Sequence, residues 1–137
     1  MPLTGFDHYT VRAQNLDASV AFYTEVLGLR AEISNALGFR LARLSLAGQA
    51  VVDLLEAGAG LDRFLGRPAP VYAGGAERIT GNLEHLAFNG TDLDAFRARL
   101  AAHRVEYSQR VLAEYGKHQL FIEDPDGVEL EINFPLA

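Results

Sequence analysis

Strand-like alternation of apolar and polar residues begins near Phe6. In the stretch FDHYTVR, Tyr9 and Val11 share one face of a predicted strand, and His8 lies on the opposite face. The mostly apolar face formed by Tyr9 and Val11 is expected to pack against a helix. The histidine therefore points away from the predicted core.

A helical spacing follows this strand. Asn15 or Asp17 can cap a helix whose buried stripe consists of Val20, Tyr23 and Leu27, so Tyr23 is assigned to structure. Farther along, alternating or continuous apolar runs predict four strands, in FRLARLSLAG, QAVVDLLEA, QLFIED and VELEINF.

The beginning of this pattern repeats with an offset of 77 residues. In that register His8 aligns with His85, and Leu16–Ala18 aligns with Leu93–Ala95. Asp92 caps the second helix, which is expected to run to about His103, itself a structural residue near the helix end. The chain therefore reads as a duplicated unit in which each copy has a strand, a helix and then strands.

The turn sequence DPDG fixes the faces of the last strand. Pro125 presets the second position of a type I turn, and Gly127 accepts the left-handed conformation that follows. The strand then places Glu129 and Glu131 on the face opposite Leu130. If this face meets those that carry the two repeated histidines, two imidazoles and a carboxylate form a plausible divalent-metal site with open positions.

Residues 58–82, between the two copies, are rich in Gly, Pro and Ala and show no sustained period. We predict a linker or mobile flap there, within a single domain of residues 1–137 whose first module spans 6–57 and second module 83–135. The segment contains three arginines that could meet an anionic substrate, although solvated loop charges are the favoured interpretation: Arg63, Arg67 and Arg78.

Composition narrows the classes of function. The net charge is −6 and the basic residues are scattered, so nucleic acid is not an expected partner. The absence of cysteine excludes disulfides, thiolate metal sites and a cysteine nucleophile. The first residues lack a basic region followed by an apolar run, so we expect a soluble, cytoplasmic protein that does not enter a membrane.

Three stretches together resemble the vicinal oxygen chelate superfamily, which includes glyoxalase I, bleomycin resistance proteins, extradiol dioxygenases, methylmalonyl-CoA epimerase and fosfomycin resistance enzymes. They are DHYTVRAQNLDASVAFYTEVLGL from Asp7, EHLAFNGTDLDAF from Glu84 and FIEDPDGVELEI from Phe121. The resemblance implies an α+β fold in which two βαβββ modules form an open, cup-shaped barrel around a metal, the glyoxalase/bleomycin resistance/dioxygenase fold. It also implies a small-molecule substrate and a homodimer.

Carried over by position, the resemblance implies that His8, His85 and Glu131 bind a divalent ion, which could be zinc, nickel, iron or manganese. Glu129 is then a carboxylate at the rim or beside the ligands. Glyoxalase I-like members have a fourth ligand, a glutamate, where this chain has Asp53. The shorter aspartate could bind through water, act as a base near the metal or take no part, and the superfamily's fosfomycin enzymes and extradiol dioxygenases do not need that ligand.

His118 is the second catalytic candidate after Asp53. With Tyr115 and Lys117 it could line the mouth of the barrel and donate a proton, or it could belong to a surface hairpin. The extradiol dioxygenase signature expects a tyrosine near the position of Ile122 and a histidine farther upstream, which argues against a typical dioxygenase.

The resemblance implies a metal-dependent lyase, isomerase or dioxygenase that acts on a small oxygen-rich or carbonyl substrate. The ion would serve as a Lewis acid toward an enediolate or oxyanion. A glyoxalase-like isomerisation is modestly favoured. The alternatives are a ring-cleaving dioxygenase, an epimerase, or a metal-free, bleomycin-resistance-like dimer that binds a drug.

Overall fold

The computed structural model describes residues 4–67 and 83–136 and contains two compact units. The first unit spans Met1–Val71 and the second Tyr72–Ala137. Each unit contains its own four-stranded mixed sheet. No helix among the described residues is long and apolar enough to span a bilayer.

The first unit follows the predicted order of strand, helix and strands. Its elements are β1 (Tyr9–Ala13), α1 (Leu16–Ala21), a π-helical turn (Phe22–Val26), β2 (Arg30–Ser34), β3 (Leu41–Leu46), β4 (Gln49–Glu56) and α2 (Ala59–Leu65). The strand order is β1-β4-β3-β2, and only the β1–β4 pair is parallel. Of the two predicted caps, Asn15 is the one used, since its side chain accepts from the Ala18 N–H at 3.0 Å.

The second unit repeats this arrangement. Its elements are β5 (Leu86–Asn89), α3 (Leu93–Ala102), β6 (Ser108–Leu112), a 3₁₀ turn (Ala113–Tyr115), β7 (Lys117–Glu123) and β8 (Glu129–Pro135). The strand order β5-β8-β7-β6 matches that of the first sheet, again with one parallel pair. Asp92 caps α3 through the Ala95 N–H, and the helix ends at His103, as the sequence predicts. The predicted α+β class with two βαβββ modules is thus confirmed.

Three elements are absent from the residue-by-residue prediction: β2, β6 and α2. The two strands lie at the edges of their sheets, and most of their residues are exposed, so their sequences carry no apolar alternation. Helix α2 starts inside the segment predicted to be a linker or flap. Only Leu61 of this seven-residue helix is buried, which leaves no helical stripe to recognise.

The core of each unit lies on the predicted side of its sheet. In the first unit the Tyr9 hydroxyl lies 3.3 Å from that of the fully buried Tyr23, so this face of β1 packs against the helical segment. In the second unit Phe134 of β8 packs against Phe96 of α3 with ring centroids 5.6 Å apart. The histidine-bearing faces are therefore the opposite ones.

A β-bulge sets the pairing of β3 with β4. The two strands are joined at Ala47 and Gly48, which have φ values of 52° and 81°, the signs required by a two-residue type I′ turn. The turn alone would set Arg43 against Val52. One additional residue in β4 shifts the register between Leu44 and Ser45, so Arg43 pairs with Asp53 instead.

Candidate metal centre

His8 and Asp53 come together in the first unit through the parallel pairing of β1 with β4. Thr10 pairs with Asp53, and His8 is two residues earlier on the same face. The His8 Nε2 atom lies 3.3 Å from Asp53 Oδ2, and His8 Nδ1 contacts the exposed carboxylate of Asp7. The Asp53 side chain is only 11% exposed, so its negative charge needs a partner.

Arg43 supplies that partner. Its Nε donates to Asp53 Oδ1 at 3.1 Å, and its Nη2 donates to Oδ2 at 3.3 Å. The two hydrogen bonds and the charge of Asp53 raise the pKa of Arg43. Both oxygens of Asp53 are therefore engaged by a guanidinium, which competes with any cation for them.

His85 and Glu131 form the corresponding pair in the second unit. Ala87 of β5 pairs with Glu131 of β8, and His85 is two residues before Ala87. The His85 Nε2 atom lies 3.4 Å from Glu131 Oε1. In sheet register Glu131 thus occupies the position that Asp53 occupies in the first unit.

Neutral amides hold Glu131, in contrast to Asp53. Asn133 Nδ2 donates to Glu131 Oε2 at 2.9 Å, and Gln119 Nε2 donates to Asn133 Oδ1 at 2.9 Å. The residue of β7 that pairs with Glu131 is Phe121, which takes the place of Arg43. These contacts bring no positive charge to Glu131, and its Oε1 is directed at His85.

Both histidine–carboxylate pairs have the spacing of two ligands on one ion. With metal–ligand bonds near 2.1 Å and tetrahedral angles, ligand atoms are about 3.4 Å apart. The observed separations are 3.3 Å for His8 with Asp53 and 3.4 Å for His85 with Glu131. The donor set of imidazole nitrogen and carboxylate oxygen therefore fits a divalent ion. The pair in the second unit fits better because, among the described residues, no guanidinium is hydrogen-bonded to Glu131.

Two further carboxylates, those of Glu84 and Glu129, lie close to His85. Glu84, His85 and Glu129 each offer a ligand atom, and these atoms lie within 4.8 Å of one another. The exposed Glu84 and the half-buried Glu129 add negative charge beside the histidine. Glu129 thus lies next to the predicted ligands, where it can attract a cation.

The structure does not bring His118 to Glu131, and His118 lies on the side of the second sheet that faces α3. His118 pairs with Phe134, whose side chain packs against α3, whereas Glu131 pairs with Phe121. Positions 118 and 121 are three residues apart on the same strand, an odd offset, so their side chains point to opposite faces of the sheet. The His118 Nε2 atom lies 3.2 Å from Arg97 Nη2, on the helix side.

Three residues of the site were not predicted from the sequence: Arg43, Gln119 and Asn133. The Asn133 signal was present, because it shares the alternation of Glu129 and Glu131. Of the three arginines between the modules, Arg63 lies in α2 and the backbone oxygen of Arg67 accepts from Arg12 at 3.4 Å. Arg78 lies outside the described residues.

Known proteins share both the sequence pattern and the fold. Residues 5–132 match the Glyoxalase/Bleomycin resistance protein/Dioxygenase superfamily. The chain is 33% identical over 134 residues to the uncharacterized protein YaeR of Escherichia coli (strain K12), and the match covers 91% of this chain and 92% of YaeR.

Solved structures agree with this match. The fosfomycin resistance protein FosX from Listeria monocytogenes superposes with a TM-score of 0.71 at 17% identity, covering 98% of this chain and 96% of that one. A FosX variant solved with Mn(II) and 1S,2S-dihydroxypropylphosphonic acid gives a TM-score of 0.68 at 18% identity, covering 96% and 90%. TnmS3, an antibiotic binding protein from Streptomyces sp. CB03234, gives 0.69 at 19% identity, covering 98% of each chain.

These structural matches show a shared fold, and the sequence match over almost the whole chain shows the family. The chain belongs to the glyoxalase/bleomycin resistance protein/dioxygenase superfamily.

Proposed function

We propose that this protein is a divalent-metal-dependent enzyme that acts on a small oxygen-rich or carbonyl substrate. The observation that carries the proposal is the pairing of each repeated histidine with a carboxylate at 3.3–3.4 Å. An isolated histidine on a strand would have no reason to meet a carboxylate at ligand spacing twice, in the same register of two sheets. Two copies of one geometry support a function for it.

The proposed ligands are His8, His85 and Glu131. Two imidazoles and one carboxylate satisfy a divalent ion incompletely, so positions stay open for substrate oxygens. When bound, such an ion would act as a Lewis acid toward a developing enediolate or oxyanion. Zinc, nickel, iron and manganese are all compatible with these ligand types.

Asp53 is proposed as a base and not as a fourth ligand. Arg43 holds both of its oxygens, and Oδ2 is directed at His8. A carboxylate fixed in this way beside a metal ligand can accept a proton from a substrate carbon or a bound water. Proton transfer is proposed for Asp53 and not for His118, which lies on the helix side of its sheet.

Metal content tests the ligand assignment. Protein purified without chelator is expected to contain about one divalent ion per chain by elemental analysis, and His85→Ala and Glu131→Gln are expected to lose it. Glu129→Gln is the matched control, because it makes the same change two residues away on the same face of β8. Unchanged metal content in both His85→Ala and Glu131→Gln would refute the assignment. Loss in His85→Ala and Glu129→Gln, with Glu131→Gln unchanged, would favour the group of Glu84, His85 and Glu129.

Substrate screening tests the reaction. We infer a glyoxalase-like isomerisation as the first candidate, with ring cleavage and epimerisation as alternatives within the same chemistry. FosX was solved with a vicinal diol carrying a phosphonate, which is an oxygen-rich small molecule of the proposed kind. Metal-reconstituted protein should therefore be assayed with hemithioacetals, catechols, acyl thioesters and epoxides, and turnover lost in Glu131→Gln is the expected result.

A metal-free protein that binds a drug is the competing function, and the shared fold with the antibiotic binding protein TnmS3 motivates it. It predicts tight binding of an antibiotic that is unaffected by chelator, with no turnover of any substrate class. Both functions are proposed for a homodimer, so sedimentation equilibrium should give twice the 14.9 kDa mass of the chain. Chelator sensitivity then separates the two functions.

A further inference from the structure

A row of polar side chains crosses the second sheet and ends at Glu131. Arg110 of β6 pairs with Gln119 of β7, and Gln119 pairs with Asn133 of β8. The Arg110 Nε donates to Gln119 Oε1 at 2.7 Å, and the two amides continue the row at 2.9 Å each until Glu131 Oε2. One continuous chain of hydrogen bonds thus joins three strands.

The end groups fix the direction of every bond in this row. A guanidinium only donates, so the oxygen of Gln119 must face Arg110 and its NH₂ must face Asn133. The oxygen of Asn133 then accepts, and its own NH₂ points at Glu131. An ionised carboxylate only accepts hydrogen bonds. The donor-to-acceptor direction that Arg110 imposes at one end is therefore also the direction that Glu131 requires at the other.

Burial makes this order rigid. Gln119 is 4% exposed and Asn133 is 7% exposed, so an amide turned the wrong way round would leave buried polar groups unsatisfied. Arg110 is itself exposed, but its guanidinium carbon lies 5.6 Å from the ring centroid of Phe121. Phe121 is the strand partner of Glu131. The stacking of Arg110 on Phe121 therefore holds the guanidinium near the hydrogen-bonded side chains.

We propose that Gln119 and Asn133 are positioning residues for the third metal ligand and that Arg110 sets their orientation. Asn133 donates to Oε2 of Glu131, Gln119 holds Asn133 in that orientation, and Oε1 stays directed at His85. The inference rests on the proposed metal-dependent function and extends it to three residues, none of which is itself a ligand.

The most direct test reverses the hydrogen bond between residue 119 and Asn133. In Gln119→Glu the new carboxylate still accepts from Arg110 but no longer donates to Asn133. The amide of Asn133 is then drawn round to donate to residue 119, and its oxygen faces Glu131, where two acceptors repel. The expected result is that the Kd for Mn²⁺, measured by titration calorimetry, rises about 10- to 100-fold, the usual cost of losing an outer partner of a metal ligand.

Gln109→Glu is the matched control. It makes the same chemical change one residue from Arg110, but Gln109 contacts Arg97 and His118 on the helix side of the sheet. Its Mn²⁺ Kd should equal that of the wild type. The visible spectrum of bound Co²⁺ is a second readout, which should change in Gln119→Glu and stay the same in Gln109→Glu.

Arg110→Met and Arg110→Lys test the far end of the row and keep the proposal falsifiable if the buried variant does not fold, because position 110 is exposed on an edge strand. Arg110→Met should weaken Mn²⁺ binding about 2- to 10-fold, the equivalent of one ordinary hydrogen bond, and Arg110→Lys, which keeps a donor, should restore it. The proposal is overturned if the folded variants at positions 110 and 119 bind Mn²⁺ as the wild type does while Glu131→Gln does not. If the wild type binds none of Mn²⁺, Zn²⁺, Ni²⁺ and Fe²⁺, the proposed function itself is rejected, and this inference with it.

Discussion

Replacement of Arg43 by Met should lower the stability of the metal-free protein and at the same time tighten metal binding. The side chain of Arg43 is 54% exposed, whereas that of its partner Asp53 is 11% exposed. Methionine keeps the length and the apolar stem of arginine and removes the charge and the donors. The change therefore isolates the ion pair from the packing of β3.

The size of the stability loss follows from this exposure. Hydrogen bonds to charged groups contribute about 1.5–3 kcal/mol when they are well buried, but exposed ion pairs contribute less than about 1 kcal/mol. The two contacts of Arg43 are 3.1 and 3.3 Å long, beyond the usual charge-assisted range. We expect a loss of about 1 kcal/mol, which for a chain of this length is roughly 2–5 °C in Tm.

The gain in metal affinity has the same origin. In the wild type a cation that used Asp53 would have to displace Arg43 and forgo the energy of that pair. Without the arginine this cost is absent, so the Kd for Mn²⁺ should fall about 5-fold, the equivalent of about 1 kcal/mol. The oxygen of Asp53 nearest His8 is already at ligand spacing, so no rearrangement of the strand is needed.

Thermal unfolding of chelated protein and Mn²⁺ titration calorimetry measure the two effects. Arg30→Met is the control, since Arg30 is an exposed arginine on β2 of the same sheet and loses the same charge. The reasoning is refuted if Arg43→Met and Arg30→Met behave alike in both measurements. A weaker Mn²⁺ affinity in Arg43→Met would show that Arg43 helps the metal to bind by holding Asp53 in place, and that it does not keep Asp53 away from the metal.

Substitutions at three further positions test the second unit. Gly90→Ala should destabilise the protein by about 1–3 kcal/mol in denaturant unfolding, because its Cβ would lie 2.7 Å from a ring carbon of Phe134; an unchanged midpoint would contradict this packing. Asp92→Ala should cost about 1–2 kcal/mol, since it loses the helix cap and leaves alanine at a φ of 59°, whereas Asp92→Asn keeps both and should cost less than about 0.5 kcal/mol. His118→Gln should leave both metal content and substrate turnover unchanged, and loss of turnover with the metal retained would support the predicted role of His118 as a proton donor.

Much of the fold was predictable because the elements that form the cores carry clear periodicity. Helix α3 begins after Asp92 and ends at His103 as predicted, and the faces of β1 and β8 follow the predicted alternation. The edge strands β2 and β6 were not predicted, because an edge strand with both faces mostly exposed to solvent needs no alternation of apolar residues.

The candidate site was predictable only where residues share a strand or a repeat. Alternation placed Glu131 beside Asn133, and the duplication singled out His8 and His85. Arg43 could not be assigned to Asp53, because a hairpin counted from its turn gives Val52 as the partner and only the bulge changes this. The face on which His118 lies could not be predicted either, because it depends on the pairing of β7 with β8.

The bulge and the duplicated register together show how two copies of one fold can surround equivalent carboxylates, Asp53 and Glu131, with different neighbours. A single position, occupied by Arg43 in one copy and by Phe121 in the other, decides whether the carboxylate on the paired strand has a guanidinium or an aromatic ring opposite it. Divergence after duplication at this position would suffice to give the copies unequal tasks, without altering either sheet. For protein engineering, this position is the one to change. Exchange of Arg43 and Phe121 should move the guanidinium from the carboxylate of Asp53 to that of Glu131.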